Sequence, residues 1–227
     1  MSRAFVQIHE YVHMKRKERI RNASKARNSF VTRRAELKIS ALADLFKGAV
    51  GEHWVKTESG VLQRELFFSG FQYLDSLKLI YNWENRFMSV NYNLQMLSVV
   101  PTNNSRFEKT RGCLFTLSCT QSGLRGKRNY SWNCKRWEDS EEKLAAYLER
   151  LSNPLITDRL NALDVMEMEI KHDDDWDYWR ISCESLIGSA TWILVPPILS
   201  MITPKKEECI KFIELFELLA DAVANNM

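Results

Sequence analysis

Short segments of alternating apolar and polar residues, rich in β-branched and aromatic side chains, follow one another between residues 54 and 137. Such alternation is typical of half-buried β-strands. The segments are too closely spaced for the helical crossovers that a parallel sheet requires. They therefore predict an antiparallel meander, with a turn at Asn85–Arg86 and strands at 77–83, 86–94, 113–119 and 129–137.

The remainder of the chain switches between helical and strand patterns. Residues 4–47 contain no Gly or Pro and are followed by Gly48 and Gly51, which predicts a long N-terminal helical region. Asn153-Pro154 divides the helical stretch 139–162 into a pair, because proline is tolerated at the first position of a new helix. Further strands are predicted at 163–171, 176–184 and 190–195, and a C-terminal helix at 203–225.

Together these elements predict an α+β fold: a basic N-terminal helical region, an antiparallel meander sheet, a central helical pair and a C-terminal helix. We divide the chain into a basic helical region, residues 1–50, and an α+β domain, residues 51–227. In the 163–184 hairpin, Glu167 and Glu169 are predicted to face solvent, and His172 to lie exposed in the turn. The buried stripe of the C-terminal helix is predicted to be Cys209, Phe212, Ile213, Phe216, Leu219, Ala220 and Val223.

Cysteine usage and the N-terminus indicate a reducing compartment. The five cysteines, an odd number without CxxC spacing, fit free thiols better than a disulfide framework. The first residues contain no apolar stretch of the kind found in secretory signals. We therefore predict a cytoplasmic protein.

The stretch from Ser185 to Pro204 contains twenty residues without a charge, which is long enough for a membrane span. Pro196 and Pro197 interrupt it, and several small polar residues dilute its apolar character. A buried strand followed by a turn explains the same residues, and this is the interpretation that we favour. Contact with a membrane is the alternative, and no stable insertion is expected.

Charge is segregated along the chain, although the net charge is only +3. Residues 1–50 have a net charge of +8 and residues 101–137 one of +7, whereas residues 138–227 have a net charge of −11. Such blocks indicate either an anionic partner for the basic segments or docking of basic on acidic segments within the fold.

Two basic segments are candidate contacts for an anionic partner. The cations between Lys15 and Lys38 predict a helix that contacts phosphates or acidic side chains. The 113–137 hairpin adds cations, but its pleat is predicted to place Tyr130, Trp132 and Cys134 together on one, core-directed face. The predicted contact residues are Arg16, Arg19, Arg21, Arg27, Arg128 and Arg136.

One motif has the spacing of a metal site. His9-Glu10-Tyr11-Val12-His13 matches HExxH, which on a helix places two imidazoles one turn apart for zinc, with the glutamate as general base. However, the motif begins at residue 9 and is followed by a basic run, and only Glu36 and His53 are candidates for a third ligand. A chance match on a helix surface is the favoured interpretation.

These observations predict a non-catalytic binding or regulatory module that engages an acidic protein surface or a second copy of itself. No nucleophile-elbow, phosphate-loop or dinucleotide-binding motif is present. The alternatives are a nucleic-acid-binding protein and a zinc metallopeptidase that uses His9 and His13. No cofactor is expected, apart from zinc in the last case.

Overall fold

The computed structural model describes residues 30–51, 55–101, 113–121, 128–138, 140–163, 165–173, 178–193 and 198–224, which form four helices and nine strands. Helix α1 (Phe30–Val50) precedes strands β1 (Val55–Gly60), β2 (Gln63–Phe68), β3 (Ser76–Arg86), β4 (Ser89–Pro101), β5 (Leu114–Gln121) and β6 (Arg128–Arg136). Helices α2 (Glu141–Leu151) and α3 (Pro154–Ala162) precede β7 (Val165–Asp173), β8 (Tyr178–Ile193), β9 (Ile198–Met201) and α4 (Lys206–Ala224). The predicted α+β fold with an antiparallel sheet is confirmed.

The nine strands form one antiparallel sheet in the order β1-β2-β3-β4-β8-β7-β5-β6, with β9 beside β8. Strands β1 to β4 form a meander, since each pairs with its neighbour in sequence. The predicted strands at 77–83 and 86–94 belong to it as β3 and β4, whereas those at 113–119 and 129–137 form a hairpin that is not next to β4. The chain then builds the β5–β6 hairpin at the far edge of the sheet. The β7–β8 hairpin closes the gap, because β8 pairs with β4 and β7 pairs with β5.

The first long hairpin has a different turn from the predicted one. Strand β3 continues to Arg86, which lies opposite Ser89, so Phe87 and Met88 form the turn. This register places the buried residues of β3 opposite buried residues of β4, as at Leu79 and Met96. A shift by one residue would reverse the faces of the strand, so burial determines where the turn falls.

Strand β8 joins two segments that were predicted as separate strands. Its pairing with β4 shifts between Tyr92 and Leu94, which lie opposite Ala190 and Ser185. Gly188, with a φ of 87°, lies in this irregularity, and its carbonyl accepts a hydrogen bond from the Tyr81 hydroxyl. A bulge, rather than a loop, therefore absorbs the extra residues.

The four helices form a layer on one face of the sheet. Helix α4 contacts each of the other three helices and also packs on β4 and β8. In α1, Ile39, Leu42 and Phe46 are buried, and Phe46 lies 6.4 Å from Phe212 of α4 between ring centroids. Gly51, with a φ of 70°, follows α1 directly, as expected of a helix end. Every residue of the stripe predicted for the C-terminal helix is buried.

Aromatic side chains fill the core under α2. The Phe115 ring lies 5.9 Å from those of Trp137 and Tyr147, and 6.3 Å from that of Trp179. The centroid of the His172 ring lies 5.0 Å from that of Trp179, and His172 is only 4% exposed. Its predicted exposure in a turn is therefore wrong, because β7 continues to Asp173 before the chain turns.

Candidate interaction surface

Most of the predicted contact residues, Arg16, Arg19, Arg21 and Arg27, lie outside the described residues, as do His9 and His13. Arg128 and Arg136 lie at opposite ends of β6, about 27 Å apart for the usual rise per strand residue. The Arg136 guanidinium is 2.8 Å from a Glu138 carboxylate oxygen. Arg128 is half-buried and its side chain hydrogen-bonds that of Tyr130. The structure therefore does not bring these two arginines together.

The aromatic side chains of β6 lie on its helix-covered face. Tyr130, Trp132 and Cys134 are half-buried and alternate with exposed residues, as the pleat predicts. The Tyr130 hydroxyl donates a hydrogen bond of 3.1 Å to the Leu160 carbonyl of α3. Burial is the main cause of the raised pKa of Tyr130. These rings support the helices and are not displayed for stacking on bases.

Glu36, one of the two candidates for a third zinc ligand, has a structural role between α1 and the β1–β2 turn. One carboxylate oxygen accepts a hydrogen bond from the Leu62 N–H, and the other lies 3.1 Å from the Arg64 guanidinium. His53 lies outside the described residues. Among the described residues, no group of three or more His, Cys, Asp or Glu side chains is placed to hold a metal ion.

The exposed side of α1 carries a cluster of cations around an apolar side chain. Arg33, Arg34 and Lys38 are exposed, and Leu37 between them is 70% exposed. Helical spacing places Arg34 and Lys38 one turn apart on the same side of the helix. We call Arg33, Arg34 and Lys38 the cationic rim.

A surface groove of about 350 Å³ lies between α1 and β9, lined by Arg34, Leu37, Lys38 and Leu199. The Arg34 guanidinium lies 5.7 Å from the centroid of the Trp192 ring, which belongs to β8. The groove therefore combines an apolar lining with exposed positive charge.

Apolar side chains are exposed beside this groove, at one end of the sheet. Phe87 is 97% exposed and Met88 50% exposed, both in the β3–β4 turn. Ser89 pairs with Ile193, which pairs with Ile198, so these exposed isoleucines lie at the same end. We call Phe87, Met88, Ile193 and Ile198 the apolar end.

Carboxylates gather on the face of the sheet away from the helices. Glu184 lies opposite Glu167, and Glu169 is near both. Partial burial, and then repulsion from Glu167 and Glu169, raises the pKa of Glu184. Glu167 and Glu169 are exposed while Met168 and Ile170 are buried, which confirms the predicted orientation of β7.

The cysteine thiols are free, as predicted. Burial raises the pKa of Cys183 and raises that of Cys209 to about 12, so both thiols are protonated near neutral pH. Cys119, on β5, is exposed. No helix in the described part of the chain is long and apolar enough to cross a membrane.

Comparison with protein families gives a match over most of the chain. A family model described as a protein of unknown function (DUF3156) matches residues 46–223, more than three quarters of the chain. The chain belongs to this family. The matched region contains the whole sheet and α2 and α3, but it begins after the cationic rim of α1. Neither the search of curated proteins nor that of solved structures finds a match.

Sequence reasoning missed Leu37, Phe87 and Met88 as surface residues. Leu37 lies off the buried stripe of Ile39, Leu42 and Phe46, and this departure from helical periodicity is visible in the sequence. The exposure of Phe87 and Met88 can be recognised only when the strand register is known. An apolar pair is unusual in a turn, but it is common in a strand.

Proposed function

We propose that this protein is a non-catalytic, cytoplasmic binding module that engages an acidic surface of a partner protein through the cationic rim. The observation that carries the proposal is the groove between α1 and β9, in which an exposed leucine lies among cations. Such a groove fits a partner segment that presents carboxylates beside an apolar side chain.

Two features support an external acidic partner over docking on the acidic C-terminal third of the same chain. Helix α1 packs on α4 through apolar side chains such as Phe46 and Phe212. Arg33 and Lys38 remain exposed on α1. Their charge is therefore accessible to a second molecule, which includes a second copy of the chain presenting residues 138–227.

The test uses a synthetic peptide of alternating leucine and glutamate as the probe, with binding followed by fluorescence anisotropy across a salt series. Replacing Lys38, the rim cation that lines the groove beside Leu37, by glutamine is expected to weaken binding about fivefold, since an exposed charge contact contributes up to about 1 kcal/mol. Lys47→Gln is the matched control, because Lys47 is exposed on the last turn of the same helix. It is expected to change binding less than twofold.

Three results would count against the proposal. Equal losses for Lys47→Gln and the rim variant would show that only net charge matters. Absence of peptide binding at low salt would exclude an acidic partner for the groove. Tighter binding to an RNA duplex of equal charge than to the peptide would favour the nucleic-acid alternative.

A further inference from the structure

We infer that the apolar end is a contact site for the surface of an anionic lipid membrane. This goes beyond the proposed function, because it depends on Phe87 and Met88, which the acidic-partner groove does not use. It requires no spanning helix, since side chains at the tips of hairpins reach only the boundary between headgroups and acyl chains.

The apolar end has the position and exposure that such a contact needs. Phe87 and Met88 occupy a turn, where polar residues are normally found, and Phe87 is 97% exposed. Ile193 and Ile198 lie on neighbouring strands at the same end of the sheet. Because strands are about 4.8 Å apart, these side chains come from turns and strand ends within about 15 Å of one another.

Cations lie beside the apolar end. Arg34 and Lys38 line the groove with Leu199, the residue after Ile198, on the helix-covered side of the sheet, and Arg86, which directly precedes Phe87, is paired with Glu84. Arg33 and Lys38 are exposed on the same part of α1. Apolar side chains flanked by Lys and Arg are the arrangement with which peripheral proteins bind anionic lipid.

The shape of the apolar end favours lipid over a folded partner. A protein partner would have to supply a pocket for an almost completely exposed phenyl ring at the tip of a hairpin. A bilayer adapts to a projecting side chain without a preformed pocket, and its anionic headgroups complement the cationic rim. The uncharged stretch from Ser185 to Pro204 contributes here, because it leaves Ile193, at the end of β8, and Ile198, at the start of β9, exposed.

Sedimentation of the full chain with vesicles tests this inference. Vesicles of phosphatidylcholine with phosphatidylserine are compared with vesicles of phosphatidylcholine alone, and the protein is expected to partition into the former at least tenfold more strongly. Replacing Phe87 and Met88 together by serine is expected to lower that partition at least tenfold, as expected for losing an inserted aromatic side chain. Leu155→Ser is the matched control, because Leu155 is 54% exposed on α3, away from the apolar end. It is expected to have no effect.

The outcomes distinguish this inference from the proposed function. Unchanged partition of the Phe87/Met88 variant, or partition that ignores phosphatidylserine, overturns the membrane contact and leaves peptide binding at the groove intact. A wild-type dimer that becomes a monomer in this variant, measured by light scattering, also overturns it and assigns the apolar end to self-association. Thermal unfolding of each variant verifies that its fold is retained, as expected for exposed positions.

Discussion

Gly188 is the residue whose replacement most directly tests the bulge in β8. Its φ of 87° is strained for any residue with a side chain, and an added Cβ would lie 2.6 Å from Cδ2 of Leu94. The backbone conformation costs about 1–2 kcal/mol. Displacing a leucine tip in a packed core costs about 1 kcal/mol more, since Leu94 is only 1% exposed. Gly188→Ala is therefore expected to lower the free energy of unfolding by about 2–3 kcal/mol.

Urea unfolding followed by tryptophan fluorescence and by far-ultraviolet circular dichroism measures this loss, with an unchanged slope against urea concentration. Gly48→Ala is the control, since Gly48 lies within α1 with no atom near an added Cβ. It is expected to raise stability by up to about 1 kcal/mol. In a Leu94→Ala background the steric part disappears, so Gly188→Ala should cost about 1 kcal/mol less. A Gly188→Ala protein as stable as the wild type would refute the bulge and its register.

Two further predictions concern charged groups of the sheet. Lys78 and Glu65 form an ion pair of 3.1 Å with side chains 7% and 19% exposed. Glu65→Ala leaves a nearly buried ammonium unpaired and is expected to lower the free energy of unfolding by about 2–4 kcal/mol in urea. The double variant Lys78→Met with Glu65→Leu should have a stability within about 1 kcal/mol of the wild type. Equal losses in the single and double variants would contradict this. Because the pKa of Glu184 is raised, the folded state holds its proton more tightly than the unfolded state, and stability falls as pH rises through the folded-state pKa. Glu184→Gln is expected to reduce this pH dependence and to raise the free energy of unfolding by about 0.5 kcal/mol at neutral pH, a small gain because solvent screens these carboxylates. An unchanged dependence of stability on pH would contradict this prediction.

Local patterns predicted the helices and the longer strands of this fold, but not β1, β2 and β9. The stripe of α4 follows from helical periodicity alone, and the alternation in β6 gave the correct face for Tyr130 and Trp132. The capped start of α2 is also legible, since the Ser140 hydroxyl accepts from the Lys143 N–H. These features depend on residues a few positions apart, which a sequence displays directly.

The arrangement of the strands could not be predicted in the same way. The pairing of β4 with β8 joins residues about ninety positions apart, and no local pattern selects it over a pairing of β4 with β5. The bulge at Gly188 and the turn at Phe87 follow from that pairing and from burial. The proximity of the apolar end to the cationic rim therefore depends on the assembled sheet and could not be predicted locally. Only the exposure of Leu37 could be predicted from helical periodicity.

The insertion of β7 and β8 between β4 and β5 has a consequence during synthesis. When the ribosome has released the chain as far as β6, strands β4 and β5 have emerged, but the β7–β8 hairpin that will lie between them has not. Contacts of such large sequence separation form slowly, and unpaired strand edges invite association between nascent chains. Translation must therefore proceed beyond residue 193 before β4 and β5 can acquire their native neighbours.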